Sequence, residues 1–209
     1  MKKYISPNNT HFLLLIIGLI FLFILCAPYS NEWKSVLILN LSKPEQVWRL
    51  ITAHFTHWSW PHLIVNAFGL LLFHLLFKNE VGSNPSETNS TKEHQALNVK
   101  SIVTALIFIL LMSNFYIFFA YSYEFYLGFS SILYGLYSYC AVRCLAVDKV
   151  TNGFILLAIF LQIQPWFAVY NSSTLIGLTV ATDVHTAATT SGLVLAGYHT
   201  VKQCFTKRI

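Results

Sequence analysis

Charge is what this sequence has least of: Asp, Glu, Lys and Arg make up 10% of its 209 residues, where a water-soluble domain carries about 25%. Too few polar groups remain to cover a soluble surface, and an apolar content of 56% excludes disorder. The class left is a compact polytopic membrane protein with room for one domain. Signals of metal and redox chemistry are missing as well. The four cysteines, at positions 26, 140, 144 and 204, form no CxxC pair and are expected as free thiols. Cys140 and Cys144 lie one helical turn apart in an apolar segment, where cysteine serves as a small packing residue. Several histidines make zinc an obvious competitor, but HExxH is absent, no apolar span carries a Glu, and Asp183 is the only acid near them. No metal and no cofactor is expected. The net charge of +5 is not gathered into a basic stripe, so no nucleic-acid partner is expected either.

What the sequence has in quantity is apolar runs. A bilayer core of about 30 Å takes roughly 20 mostly apolar residues per helix, and segments near 11–29, 61–77, 101–121, 127–147, 153–170 and 180–201 qualify. The expected fold is all-α, a single membrane domain over residues 1–209 with six transmembrane helices. Lys2 and Lys3 before the first run resemble a signal peptide, but Leu25-Cys26-Ala27-Pro28 offers no clean small-x-small site, so a retained anchor is expected. An even number of spans puts both termini on one side. Ten of the thirteen Lys and Arg fall on that side and only Lys34, Lys43 and Arg49 on the other, which makes the termini cytoplasmic. The 78–100 connection is polar and reads as a flexible cytoplasmic loop. The 30–60 connection mixes Trp33, Val36, Leu37, Trp48, Phe55, Trp58 and Trp60 with polar residues and reads as a loop lying in the membrane interface.

Polar groups at membrane depth cost a few kcal/mol or more, which makes each a candidate for function. One cluster is His54, His57, His62 and Asn66, entering the second span. His62 and Asn66 stand at i and i+4 on one helix face, a spacing that suits a shared polar site or plain helix-to-helix hydrogen bonding. A second is Gly128-Phe129-Ser130-Ser131 with Gly135, opening the fourth span. Ser131 and Gly135 form a small-xxx-small pair that lets helices approach; equally, a Gly-flanked helix N-terminus presents the N–H groups that a serine nucleophile needs for an oxyanion. The third is Asp183-Val184-His185 at the entry to the sixth span, with Ala188, Gly192 and Ala196 behind it as a small-residue seam. His185 there suits a structural hydrogen bond, a proton relay or a general base. All three clusters enter from the non-cytoplasmic side, as a water-accessible site built from several helices requires.

In this order and at these depths, His62-xxx-Asn66, Gly128-x-Ser130 and His185 followed by small residues resemble the rhomboid family of intramembrane serine proteases. The stretch Trp48-Arg49 through His54, His57 and His62, and VATDVH before the last helix, resemble more specifically the bacterial rhombosortase subfamily. The resemblance covers roughly residues 45–200. It departs from the family pattern at Ser131 and Ala188, where glycine is usual, and at Val184, where alanine is.

The resemblance implies a serine endopeptidase with a Ser130–His185 dyad. His62, Asn66 and the Ser130 backbone N–H would hold the oxyanion, and Gly128, Ser131 and His57 would support the site. Asp183 is not expected as a third member. Substrates would be membrane proteins with a transmembrane C-terminal tail, for the subfamily a Gly-Gly motif followed by an apolar helix and a basic end. The implied location is the inner membrane of a Gram-negative bacterium. A noncatalytic relative that binds membrane-protein helices is the alternative, and a proton-coupled carrier is a third reading, against which stands the lack of repeats with broken helices.

Overall fold

The computed structural model describes residues 7–81, 97–120, 124–145, 148–163 and 181–206. In these the chain forms α1 (Pro7–Leu25), α2 (Asn31–Leu37), β1 (Leu39–Asn40), α3 (Arg49–Phe55), α4 (Trp60–Phe77), α5 (Val99–Ala120), β2 (Phe125–Tyr126), α6 (Ser130–Cys144), α7 (Lys149–Ile163) and α8 (Thr182–Thr206). The six long helices fall on the six apolar segments. Two of them, α4 and residues 99–119 of α5, are long and apolar enough to cross a membrane by length and composition alone, while α1 and α7 hold shorter apolar stretches. The end of the fifth expected span, and most of the polar 78–100 connection, lie outside the described residues.

The least apolar of the long helices, α6 and α8, make the closest helix pair. Backbones can approach that closely only where side chains are absent. A Cβ on Gly192 would lie 2.2 Å from the Gly135 carbonyl oxygen, and one on Gly135 would lie 2.8 Å from that of Ala188. The small residues singled out in the sequence are therefore where α6 and α8 touch. α6 is walled in by protein: Ile132, Leu136, Tyr139, Cys140, Ala141 and Cys144 are all buried. That explains why it tolerates Ser, Gly, Tyr and Cys where a lipid-facing helix would be greasy. Outward faces are the reverse, with Ile64, Val65, Phe68 and Leu75 on α4 and Ile107, Leu111, Phe115 and Phe119 on α5 exposed. An apolar surface this continuous belongs in lipid.

The 30–60 connection is not an irregular loop. It folds into α2, β1 and α3, tied together by the Arg49 guanidinium. From its buried position Arg49 donates to the carbonyls of Ser35 and Ile38 and to the Gln46 side chain, while the Thr52 hydroxyl donates to the Leu37 carbonyl at 2.8 Å. Val36, Val47, Trp48, Ile51, Trp58 and Trp60 remain exposed. Two ties join this subassembly to the segment before α6. Strand β1 pairs antiparallel with β2, Leu39 opposite Tyr126 and Asn40 opposite Phe125. In addition, the Gly128 N–H donates to the Ala53 carbonyl at 2.9 Å. The loop that leads into Ser130 is thereby braced from outside the bundle.

Candidate active site

Ser130 is the first residue of α6, and the preceding Phe129 provides no side-chain cap. The first N–H groups of a helix have no intrahelical acceptor, so those of α6 are free to face a ligand. His185 sits in the first turn of α8, as does Asp183, whose carboxylate accepts from the Val184 N–H at 2.9 Å and from the Tyr116 hydroxyl at 3.3 Å. The α6–α8 crossing brings the two together: Ser130 Oγ and His185 Nε2 are 2.8 Å apart, from positions 55 residues distant in the chain. The imidazole is nearly fully buried and stacks on Tyr134 with centroids 4.5 Å apart and planes 14° from parallel. Tyr134 lies one turn beyond Ser130 on α6 and donates onward to Gln162 of α7. The aromatic face of Tyr134 holds the plane of the imidazole ring.

His62 comes to the same place from α4. Ser59 caps that helix, accepting from the His62 N–H at 3.4 Å, and Pro61 occupies its first turn, where a missing N–H costs nothing. Gly128, at φ +120°, is the point of convergence. A Cβ there would lie 3.1 Å from His62 Cε1, 3.3 Å from His62 Nε2 and 3.8 Å from Ser130 Oγ. Any residue but glycine would be strained in backbone and would intrude between the two side chains. Asn66 lies one turn below His62, buried, and its amide donates to the His62 carbonyl at 3.1 Å. His57 is fully buried behind His62, ring centroids 5.0 Å apart at 82°, and packs its edge against Phe23 at 5.0 Å.

Two residues of the sequence clusters turn elsewhere. Ser131 is buried and its hydroxyl lies 2.7 Å from the Tyr126 hydroxyl, which also donates to the Gly128 carbonyl at 3.3 Å. His54 does not join the Ser130–His185 pair, and its ring packs against that of Tyr126 with centroids 5.4 Å apart. Its Nε2 meets Asn114 Oδ1 on α5 at 3.2 Å, and the Asn114 amide donates to the Leu50 carbonyl at 2.8 Å, so His54 fastens α3 to α5. Burial holds His54 down to about 4 and His57 down to about 3, the latter also through the neighbouring His62, so both are neutral at physiological pH. Burial likewise raises the Tyr126 phenol above its ordinary value and keeps it a hydrogen-bond donor. Tyr134 could have been sought in the sequence from its i+4 relation to Ser130; Tyr126 and Asn114 carried no signal, because their contacts depend on strand pairing and helix packing.

Among the described residues no group of three or more His, Cys, Asp or Glu is arranged to hold a metal. What the arrangement defines is a helical protein in which a half-buried serine hydroxyl meets a buried histidine beside Gly128. Residues 44–201 match the rhomboid domain. The chain belongs to the rhomboid family, a polytopic membrane family made up largely of serine proteases that act on membrane proteins. No curated protein matches it.

Proposed function

We propose that the chain is an intramembrane serine endopeptidase in which Ser130 is the nucleophile and His185 the general base. The observation that carries this reading is the 2.8 Å contact between Ser130 Oγ and His185 Nε2 at an uncapped helix N-terminus. Ser130 Oγ attacks the scissile carbonyl as its proton passes to His185 Nε2. His62, Asn66 and the Ser130 N–H stabilise the resulting oxyanion, each donor in such a site being worth about 3 kcal/mol. His185 then gives the proton to the leaving amine, and water reaching Ser130 from the non-cytoplasmic side hydrolyses the acyl-enzyme. Stacking on Tyr134 supports this role for His185, since it holds the imidazole at one angle through both proton transfers. The engagement of the Ser131 hydroxyl with Tyr126 supports Ser130 rather than its neighbour as the nucleophile.

In this reading the whole chain, 1–209, is one domain whose six long helices cross the membrane, with both termini cytoplasmic, in the inner membrane of a Gram-negative bacterium. The substrates are membrane proteins whose C-terminal tail combines a Gly-Gly motif, an apolar helix and a basic end. The likeness of Trp48-Arg49 through His62 and of VATDVH to rhombosortases supports that choice. The test is cleavage, in membranes, of a reporter bearing such a tail and of one with the Gly-Gly replaced by Leu-Leu. The reading expects the first to be cut by the native chain, the second to be spared, and neither to be cut by Ser130→Ala. Cleavage of both reporters removes the tail specificity and leaves the protease. Cleavage of neither, with stable binding of the tail, favours the noncatalytic alternative.

A further inference from the structure

The proposed catalytic loop is short, runs from β2 to α6, and contains a glycine with φ +120°. Glycine supplies that conformation at no steric cost but does nothing to hold it, because no side chain restricts rotation of the adjoining peptide planes. Two hydrogen bonds restrict them instead. The N–H of Gly128 is held by the Ala53 carbonyl at 2.9 Å, and its carbonyl is held by the Tyr126 hydroxyl at 3.3 Å. Tyr126 in turn is held by its backbone pairing with Leu39 and by the Ser131 hydroxyl at 2.7 Å. Tyr126 and Ser131 are both buried. The hydroxyl pair thus spans the loop from the residue two before Gly128 to the residue after Ser130. A chain of donors satisfies all three oxygens if Ser131 donates to Tyr126 and Tyr126 donates to Gly128.

We infer that Tyr126 is a positioning residue which, locked by Ser131, fixes the Gly128–Phe129 peptide plane and so aims the Ser130 N–H and Oγ at the reacting carbonyl. The inference rests on the protease reading above and deepens it. The Ser131 hydroxyl, where the family pattern has glycine, becomes half of the lock rather than a tolerated departure. Buried hydrogen bonds of this kind restrain a loop more than they stabilise the fold, because the same segment is independently fastened by Ala53 and by the β1–β2 pairing.

Tyr126→Phe keeps the ring and its packing and removes only the hydroxyl, so the expected effect is on the chemical step. We expect kcat for a cleaved membrane reporter to fall about tenfold with KM unchanged. Ser131→Ala leaves Tyr126 able to donate to Gly128, so a smaller fall is expected. The double variant should be no slower than Tyr126→Phe alone, since both hydroxyls act through one lock. Thermal midpoints in detergent, read in parallel, should stay close to that of the native chain. A native kcat in Tyr126→Phe, a rise in KM in place of a fall in kcat, or single effects that multiply in the double variant would each overturn the inference. So would a fall in kcat matched by a collapse of the midpoint in both single variants, which would make the pair merely structural. A native chain that cleaves no reporter overturns the protease reading and this inference with it, an outcome distinct from intact cleavage that ignores Tyr126.

Discussion

Replacing Gly192 with alanine tests whether the α6–α8 crossing sets the Ser130–His185 contact. The added Cβ would lie 2.2 Å from the Gly135 carbonyl oxygen, 3.0 Å from its carbon and 3.2 Å from its Cα, all backbone atoms that no rotamer change can move. In a close-packed interior the overlap is relieved only by parting the helices by about 1 Å. Ser130 lies five residues from Gly135, about 7.5 Å along the axis, so most of that displacement reaches the site. A 2.8 Å contact stretched to about 3.5 Å or more no longer transfers a proton well. Overpacking of this type destabilises by about 1–3 kcal/mol, and a misplacement of 1 Å at reacting groups costs about 100-fold in rate. Gly197→Ala on the same helix is the control, since nothing lies within 4 Å of its Cβ and alanine is the better helix former by about 1 kcal/mol. The assay is reporter cleavage in membranes, with labelling of Ser130 by a fluorophosphonate and the thermal midpoint in detergent. Gly192→Ala should lower all three and Gly197→Ala none. Native cleavage and native stability in Gly192→Ala would refute the reasoning.

Other outcomes follow from the same geometry. Gly128→Ala must adopt φ +120° and press its Cβ to 3.1 Å from His62 Cε1, a backbone strain of about 1–3 kcal/mol; cleavage should be lost, as read in the membrane reporter assay. His54 and His57, neutral in the fold with values held down to about 4 and about 3, take up protons more readily when unfolded, where the value is about 6.5. The unfolded chain therefore binds more protons across that interval, and stability falls as the pH drops below about 6.5 and levels off only below the folded values. Thermal midpoints measured from pH 7.5 to pH 4 should decline, and the decline should shrink in His54→Gln; a flat profile would count against the burial of these rings.

Much of the candidate site is legible in the sequence because its residues sit at signals that depend on one helix at a time. Gly128 announces the break before Ser130, whereas the Ser59 cap before His62 is seen only in the structure. The small residues Ala188, Gly192 and Ala196 mark the face of α8 that meets α6. Helix ends are less legible: α1 begins at Pro7 and stops at Leu25, ahead of Pro28, rather than running from 11 to 29. The 30–60 segment is illegible as structure for a physical reason. Its helices are seven residues each, too short for an apolar period to show, and they are held by Arg49 reaching carbonyls 11 and 14 residues away. His54 is equally hidden. It shares a stretch of sequence with His57 and His62, but the turn of α3 carries it to Asn114 on α5, and nothing in the spacing of histidines distinguishes a fastener from a site residue.

The most direct test of the account compares the native chain with Ser130→Ala, Ser131→Ala and His185→Ala in one membrane reporter assay, each variant checked for native stability. The account predicts that Ser130→Ala and His185→Ala abolish cleavage, while Ser131→Ala, whose hydroxyl serves Tyr126, retains it at a reduced rate. Cleavage that survives in Ser130→Ala, or that vanishes in Ser131→Ala alone, would contradict it.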